Sequence, residues 1–402
     1  MKSIAVKTMT LSAMAGVALL LVACSTPAAA PTAAPPKATA SVPSTATALA
    51  TKPPEPTSAP STNPTSTATA APMKAVATTP VKSRVGLVTD QGGINDKSFN
   101  QAAWEGVQKA AQEFGFETQV IEATQSEDLA KNVDKLVADK CDVVVSVGYL
   151  MADVTAAKAV QYPNTRFAII DVAYTPTKGA TPCDESKKDC YTDGGLKNVT
   201  SLLFQEDEVG FLAGVVAGGM TQTGVVASVG SMEIPPVVRF ITGYQNGALF
   251  ARSNVKAINS YLGHFDRPDE GKAAAIKLID QQADVVFGLG GTTGNGALLG
   301  AKEKGVMAIG VDMDQYLTLP EARTSLLTSA MKNVDVAVYS YLKAVNGHTA
   351  AAGVVTSNLR NGGVGLAPFH DWEDRVPASL KAKVKEATEG LLSGKIPTGY
   401  QP

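Results

Sequence analysis

VGLVTDQGGINDKSFNQAAWEG, residues 85–106, is the stretch whose reading decides the fold. Its first four residues form an apolar run of strand length, which stops at a polar, glycine-bearing segment that leads into a helix. Ser98 followed by Gln101 has the spacing of a capping box. Phe99, Ala103, Val107, Ala110, Ala111 and Phe114 then recur at helical spacing until Gly115 ends the helix. This is the opening of a βα unit, and it predicts that residues 90–100 lie beyond the carboxyl end of a strand. In open α/β sheets ligands bind at that edge, where a helix N-terminus also offers unpaired N–H groups. One aromatic, Phe99, stands there among Asp90, Asn95, Asp96, Lys97 and Asn100. It reads either as a hydrophobic staple among capping residues or as a stacking platform edged by hydrogen-bonding groups, suited to a flat polar ligand.

Outward from this unit, short β-rich runs alternate with amphipathic segments. Strands are predicted at 85–88, 118–121, 143–147, 167–170 and 199–204, with helices at 98–114, 127–140 and 153–161 between them. A second series follows Gln205, with helices at 209–220, 237–253, 272–282 and 296–304 alternating with strands at 224–229, 255–261, 285–287 and 306–311. Beyond it come a strand at 326–329, a helix at 334–346, a strand at 354–358 and a last helix at 377–392. The alternation implies parallel sheets covered on both faces, arranged as two doubly wound α/β lobes. The predicted organisation is one lobe from 83–205 plus about 332–360 and another from 206–331 plus about 361–402. Polar or aromatic residues end several strands of the second series too: Phe265-Asp266-Arg267, the run 288–295, and Asp312-Met313-Asp314. Polar groups gathered at strand ends of both lobes point to a cleft between them and to a hinged clamp.

With 402 residues, 45% of them hydrophobic, the chain can bury more than one core. A net charge of −2 gives no electrostatic case for a nucleic-acid partner. Residues 1–23 combine Lys2 and Lys7 with a short apolar run, which fits a signal peptide and is too short for a membrane span. Its end, Leu-Val-Ala-Cys, resembles the lipobox of bacterial lipoproteins and implies cleavage before Cys24 and lipidation of that thiol. Residues 24–82 are dominated by Ala, Thr, Pro and Ser, a composition expected of a disordered tether. The expected location is therefore the extracytoplasmic face of the cell membrane, held there by lipid.

Cys183 and Cys190 bracket the charged segment CDESKKDC in a compartment that permits disulfides and are predicted to be bridged, whereas Cys141 reads as a buried structural thiol. The spacing fits no common zinc pattern, and no metal is expected. The segment GLGGTTGNG, 288–296, imitates a dinucleotide fingerprint, but it falls late in the second series with imperfect spacing. The alternative is that its small residues let a ligand approach the backbone closely. His264, His348 and His370 belong to no nucleophile elbow or metal-spaced pair, and only His264 lies near the presumed cleft. No cofactor is expected.

Five segments in order, GGINDKSFNQAAWEG (92–106), DVAY (171–174), FQEDEVGFLAG (204–214), GVDMDQ (310–315) and SAMKNVD (329–335), together resemble the basic membrane protein family. Those proteins are substrate-binding lipoproteins of ABC importers whose characterised members bind purine nucleosides. FDRPDEG (265–271) is also similar to a segment of the ribose-binding protein. The resemblance implies a type I periplasmic-binding-protein fold with a multi-strand hinge. It implies a base held between Phe99 and Phe265, with edge contacts from Asp90 and Asn100 and with Asp171 nearby. The ribose would be met by Asp312, Gly290 and Lys332, with Arg239 or Phe240 as further candidates. The implied partners are a small ligand, a permease and an ATPase, and the protein is expected to act as a monomer. A sugar-like ligand on the same lobes and a nucleoside-processing surface enzyme are the competing expectations. The enzyme would need a general acid and a positioned water; Asp90 could serve, without an evident partner.

Overall fold

The computed structural model describes residues 83–401; the leader, Cys24 and the tether lie outside the described residues. The chain opens with β1 (Arg84–Thr89), α1 (Phe99–Phe114), β2 (Glu117–Ile121), α2 (Leu129–Ala138), β3 (Val143–Val147), α3 (Ala152–Gln161), β4 (Arg166–Ile170) and β5 (Val199–Phe204). It continues with α4 (Glu206–Met220), β6 (Val225–Gly230), α5 (Pro235–Ala251), β7 (Lys256–Tyr261), α6 (Pro268–Ile279), β8 (Val285–Leu289), α7 (Gly291–Glu303), β9 (Met307–Asp312), α8 (Gln315–Thr318) and β10 (Leu326–Lys332). Last come α9 (Val334–Asn346), β11 (Gly353–Ser357), β12 (Val364–Leu366) and α10 (Ala378–Leu392).

Two sheets result, ordered β11-β5-β4-β3-β1-β2 and β12-β10-β9-β8-β6-β7. Every neighbouring pair is parallel except β10 with β12. The backbone passes from one lobe to the other after β5, after β10 and after β11. Strands buried on both faces explain the continuous apolar runs. Within β1, Val85 and Leu87 join the core beneath α1, while Val88 faces the opposite core with Leu129 and Val133 of α2.

Several boundaries differ from the expectations, each for a local reason. α5 and α6 begin earlier, at Pro235 and Pro268, because proline's fixed φ suits a first helical turn and its missing N–H costs nothing there. α7 begins at Gly291, five residues before the predicted start, so most of the glycine run is helical. Its Gly296 packs against the Pro268 carbonyl, and Gly271 of α6 packs against the Thr293 carbonyl. Those glycines therefore serve a close helix crossing. The Cys183–Cys190 disulfide is formed, and Cys141 is free and buried.

The second lobe holds a tighter crossing, between α4 and α5. A Cβ placed on Gly247 would stand 1.9 Å from the Phe211 carbonyl oxygen, and one on Gly214 would stand 2.0 Å from that of Tyr244. Replacing a helical glycine with alanine gains about 1 kcal/mol of propensity, but overpacking a close contact costs roughly 1–3 kcal/mol or more. Gly247→Ala is expected to lower the urea unfolding midpoint and melting temperature. Gly347→Ala, at an exposed site whose nearest outside atom is 3.5 Å from the new Cβ, is expected to leave both within error.

Candidate functional site

The carboxyl ends of both sheets face one cavity, partly open to solvent. Asp90 follows β1, Phe99 and Asn100 open α1, and Asp171 follows β4; all four line it. From the other lobe come Phe265 in the loop before α6, Gly290 after β8, Asp312 ending β9 and Lys332 ending β10. Phe240 of α5 lines it as well, with Ile234, Val237, Leu289 and Val311 completing an apolar belt. Arg239, one residue earlier on α5, does not reach the cavity. Its Nε donates to Glu206 Oε2 at 2.5 Å behind the wall. None of the three histidines lines the cavity. Among the described residues no cluster of three or more His, Cys, Asp or Glu side chains is placed to hold a metal ion.

The N-terminus of α1 is capped by a residue that spacing did not single out. Asp96 accepts the backbone N–H groups of Ser98, Asn100 and Gln101, each at 3.0 Å. Ser98 therefore is not the cap that the S-x-x-Q pattern implied: its side chain makes no capping bond, and its Oγ donates to Asp312 Oδ2 at 2.5 Å. Asn295 of α7 donates to the Asp96 carbonyl at 2.7 Å, and the Lys97 carbonyl accepts from Gln315 at 3.2 Å and Thr318 at 3.0 Å. The loop before α1 is thus bonded directly to the second lobe.

Asp171 and Asp312 turn out of their strands with φ of 71° and 63°, left-handed values that cost a non-glycine residue energy and persist only where the surroundings enforce them. Lys332 enforces one. Its Nζ lies 2.6 Å from Asp171 Oδ2 and 2.9 Å from Glu206 Oε1, and 4.9 Å from the ring centres of both Phe99 and Phe204. Burial alone would pull this ammonium down, but Asp171, Glu206 and Asp312 outweigh it and hold the group above its ordinary value. Gly290, with φ of 86°, sits where any side chain would strike Ser231 Oγ at 1.9 Å and crowd the Phe265 ring. Its smallness seats the ring, a nearer reason for glycine than the approach of a ligand.

Burial dominates the carboxyls. It pushes Asp90 up to about 7 against the N–H groups of Gln91 and Leu150, and Asp312 up to about 7 against Lys332 and Ser98. Asp171 rises to about 6, burial again being the largest cause and Lys332 the main opposing one. A carboxyl in the unfolded chain titrates near ~3.9, so the folded protein takes up protons first as the pH falls. The ligand-free protein should therefore gain stability as the pH drops from about 8 to about 5, its melting temperature rising by roughly 3 °C or more. Asp90→Asn should flatten that rise; a wild-type melting temperature that falls across the window would contradict the burial of these groups.

Residues 83–397 match the family described as ABC transporter substrate-binding protein PnrA-like. The ABC transporter nucleoside-binding protein BmpA of Lactococcus lactis subsp. cremoris is 30% identical over 332 residues, 78% of this chain and 88% of that one. Basic membrane protein A of Borreliella burgdorferi is 30% identical over 257 residues, covering 63% of this chain and 70% of its own. Among solved structures, a solute-binding protein of an ABC transporter system from Aeropyrum pernix superposes with a TM-score of 0.69 at 26% identity, covering 78% of this chain and 92% of that one. The two-lobed fold, the strand-end cavity and the sequence match agree, and the chain belongs to the PnrA-like family of ABC transporter substrate-binding proteins.

Proposed function

We propose that this protein is a lipid-anchored, extracytoplasmic receptor that grips a purine nucleoside between its lobes and delivers it to an ABC permease, without changing it chemically. The observation that carries the reading is the cavity lining: aromatic rings from both lobes, Phe99 and Tyr149 from the first and Phe265 and Phe240 from the second, with an apolar belt around them and carboxyl groups beyond. A purine has two flat faces, so paired rings can hold it with little loss of side-chain freedom. Asp312 can accept protons from a ribose diol, a charge-assisted contact, and Lys332 stands in the same wall. The Lactococcus relative is named as nucleoside-binding, which supports the ligand class. Anchoring at Cys24 follows from the lipobox-like sequence, and relatives in Pyrococcus are named lipoproteins. Closure of the lobes on a hinge would assemble the site, since Phe99 and Phe265 stand on different lobes.

A free sugar would leave the apolar belt without a partner, and the family and relatives matched are described as substrate-binding or nucleoside-binding proteins, which supports binding without turnover. Calorimetric titration with inosine, guanosine, adenosine, ribose and the free bases tests the reading, and recovery of unchanged nucleoside after long incubation tests the absence of turnover. Stacking on an aromatic side chain is worth ~1–3 kcal/mol per base, so Phe99→Ala and Phe265→Ala should each weaken nucleoside binding by about tenfold or more and sugar binding far less. Normal binding by both variants would remove the stacking assignment. Asp312→Ala should erase the preference for nucleosides over free bases, and an equal loss for both would contradict its ribose role.

A further inference from the structure

We infer that the first lobe sets carboxylate and amide oxygens against the N1 and 2-position of the base, so that guanosine, which carries N–H groups at both, binds in preference to adenosine. This rests on the purine-nucleoside reading above. Asn100 is 4% exposed, and one end of its amide is held. Its Nδ2 donates to the Gln91 carbonyl at 2.9 Å, which fixes the amide orientation and leaves Oδ1 buried with no partner. Asp90, 6% exposed, receives the Gln91 N–H at 2.6 Å on Oδ1, and its remaining capacity as a carboxylate is to accept. Asp171 adds another partnerless buried oxygen, Oδ1, its Oδ2 being held by Lys332. The one cation of the wall, Lys332, is already engaged by Asp171 and Glu206. The Gln91 amide and the Tyr149 hydroxyl line the same cavity and can each donate or accept, so they can serve a 6-oxo or a 6-amino group alike.

A guanine edge offers N1–H and the 2-amino group, so each can meet one of these oxygens. Hypoxanthine offers N1–H alone. Adenine offers its 6-amino group but sets the lone pair of N1 against a carboxylate, leaving one buried acceptor without a donor and another facing a lone pair. A site built to bond particular N–H groups rejects the analogue that lacks them because its own polar atoms are then left unpaired.

The protonation state of Asp90 sharpens the contrast. The titratable groups that share its cavity are Asp96, Tyr149, Asp171, Asp312 and Lys332, with the backbone N–H groups of Gln91 and Leu150 against it. Burial places its titration at about 7, so both forms are reachable near neutrality. An ionised Asp90 suits guanosine. A protonated Asp90 can donate to adenine N1 while Asn100 Oδ1 accepts from the 6-amino group. The two nucleosides should therefore respond to pH with opposite signs.

The test is calorimetric titration of the full-length chain with guanosine, inosine and adenosine near pH 6 and near pH 8. At the higher pH guanosine should bind about tenfold or more tighter than adenosine, with inosine between, as expected for one well-formed edge contact. Toward the lower pH guanosine should weaken by up to about tenfold while adenosine tightens, the limit for one proton. Asp90→Asn, which supplies a permanent donor, should remove the guanosine advantage and flatten both pH responses. Adenosine binding as tightly as guanosine at the higher pH, or an unchanged preference in Asp90→Asn, overturns the acceptor edge while leaving a nucleoside receptor. Failure of all three to bind, with ribose or another sugar binding instead, overturns the nucleoside reading itself.

Discussion

The short segment around Asp96 is where the two lobes meet, and the site depends on it. One carboxylate gathers three backbone N–H groups at the start of α1, and the carbonyl of the same residue accepts Asn295 from the opposite lobe. Burial raises the Asp96 carboxyl, and the N–H groups of Gln101, Asn100 and Ser98 oppose that rise. This fixes Phe99 and Asn100 at the mouth of the cavity and turns Ser98 toward Asp312. The Phe99 ring, the Asn100 amide and several bonds between lobes therefore share one helix start. A loop without that cap would order the same residues only at the entropic cost of fixing each one.

Behind the cavity, Asp171, Lys332, Glu206 and Arg239 form a buried chain of alternating charge. Such networks are not in themselves stabilising, since desolvation offsets much of their attraction, although removing one member costs about 3–5 kcal/mol by stranding the others. Their effect here is positional. Lys332 ends β10 and Glu206 begins α4, so two of the three crossings between lobes carry one charge each into the network. Asp171 and Lys332 both line the cavity wall, which places the crossings between lobes and the ligand site in direct contact.

Much of this was legible in the chain. The βα unit at 85–106 carries its own punctuation, an apolar run, a polar break and a helical period, so its strand and helix follow from spacing alone. Phe265 was marked only as one of several residues beyond strand ends, and Lys332 entered through family resemblance, because their place in the cavity depends on which strand ends converge, which no local pattern states. Asp96 was hidden because Ser98 and Gln101 satisfy the capping pattern on paper, and only the fold decides which oxygen takes the N–H groups once Ser98 is drawn to Asp312. Arg239 and Phe240 could not be separated by sequence because a one-residue change on a helix turns a side chain about 100°. β12 was missed for its three residues, and its antiparallel pairing with β10 is a tertiary event.

In this account the lobes close because a flat ligand completes a site that neither possesses alone. Distance measurement by electron–electron resonance between spin labels at the exposed Lys131 on α2 and Lys302 on α7 tests this most directly. Guanosine should shorten and narrow the distance distribution, and ribose should leave it broad. A distribution that is the same with and without nucleoside would contradict the closing clamp.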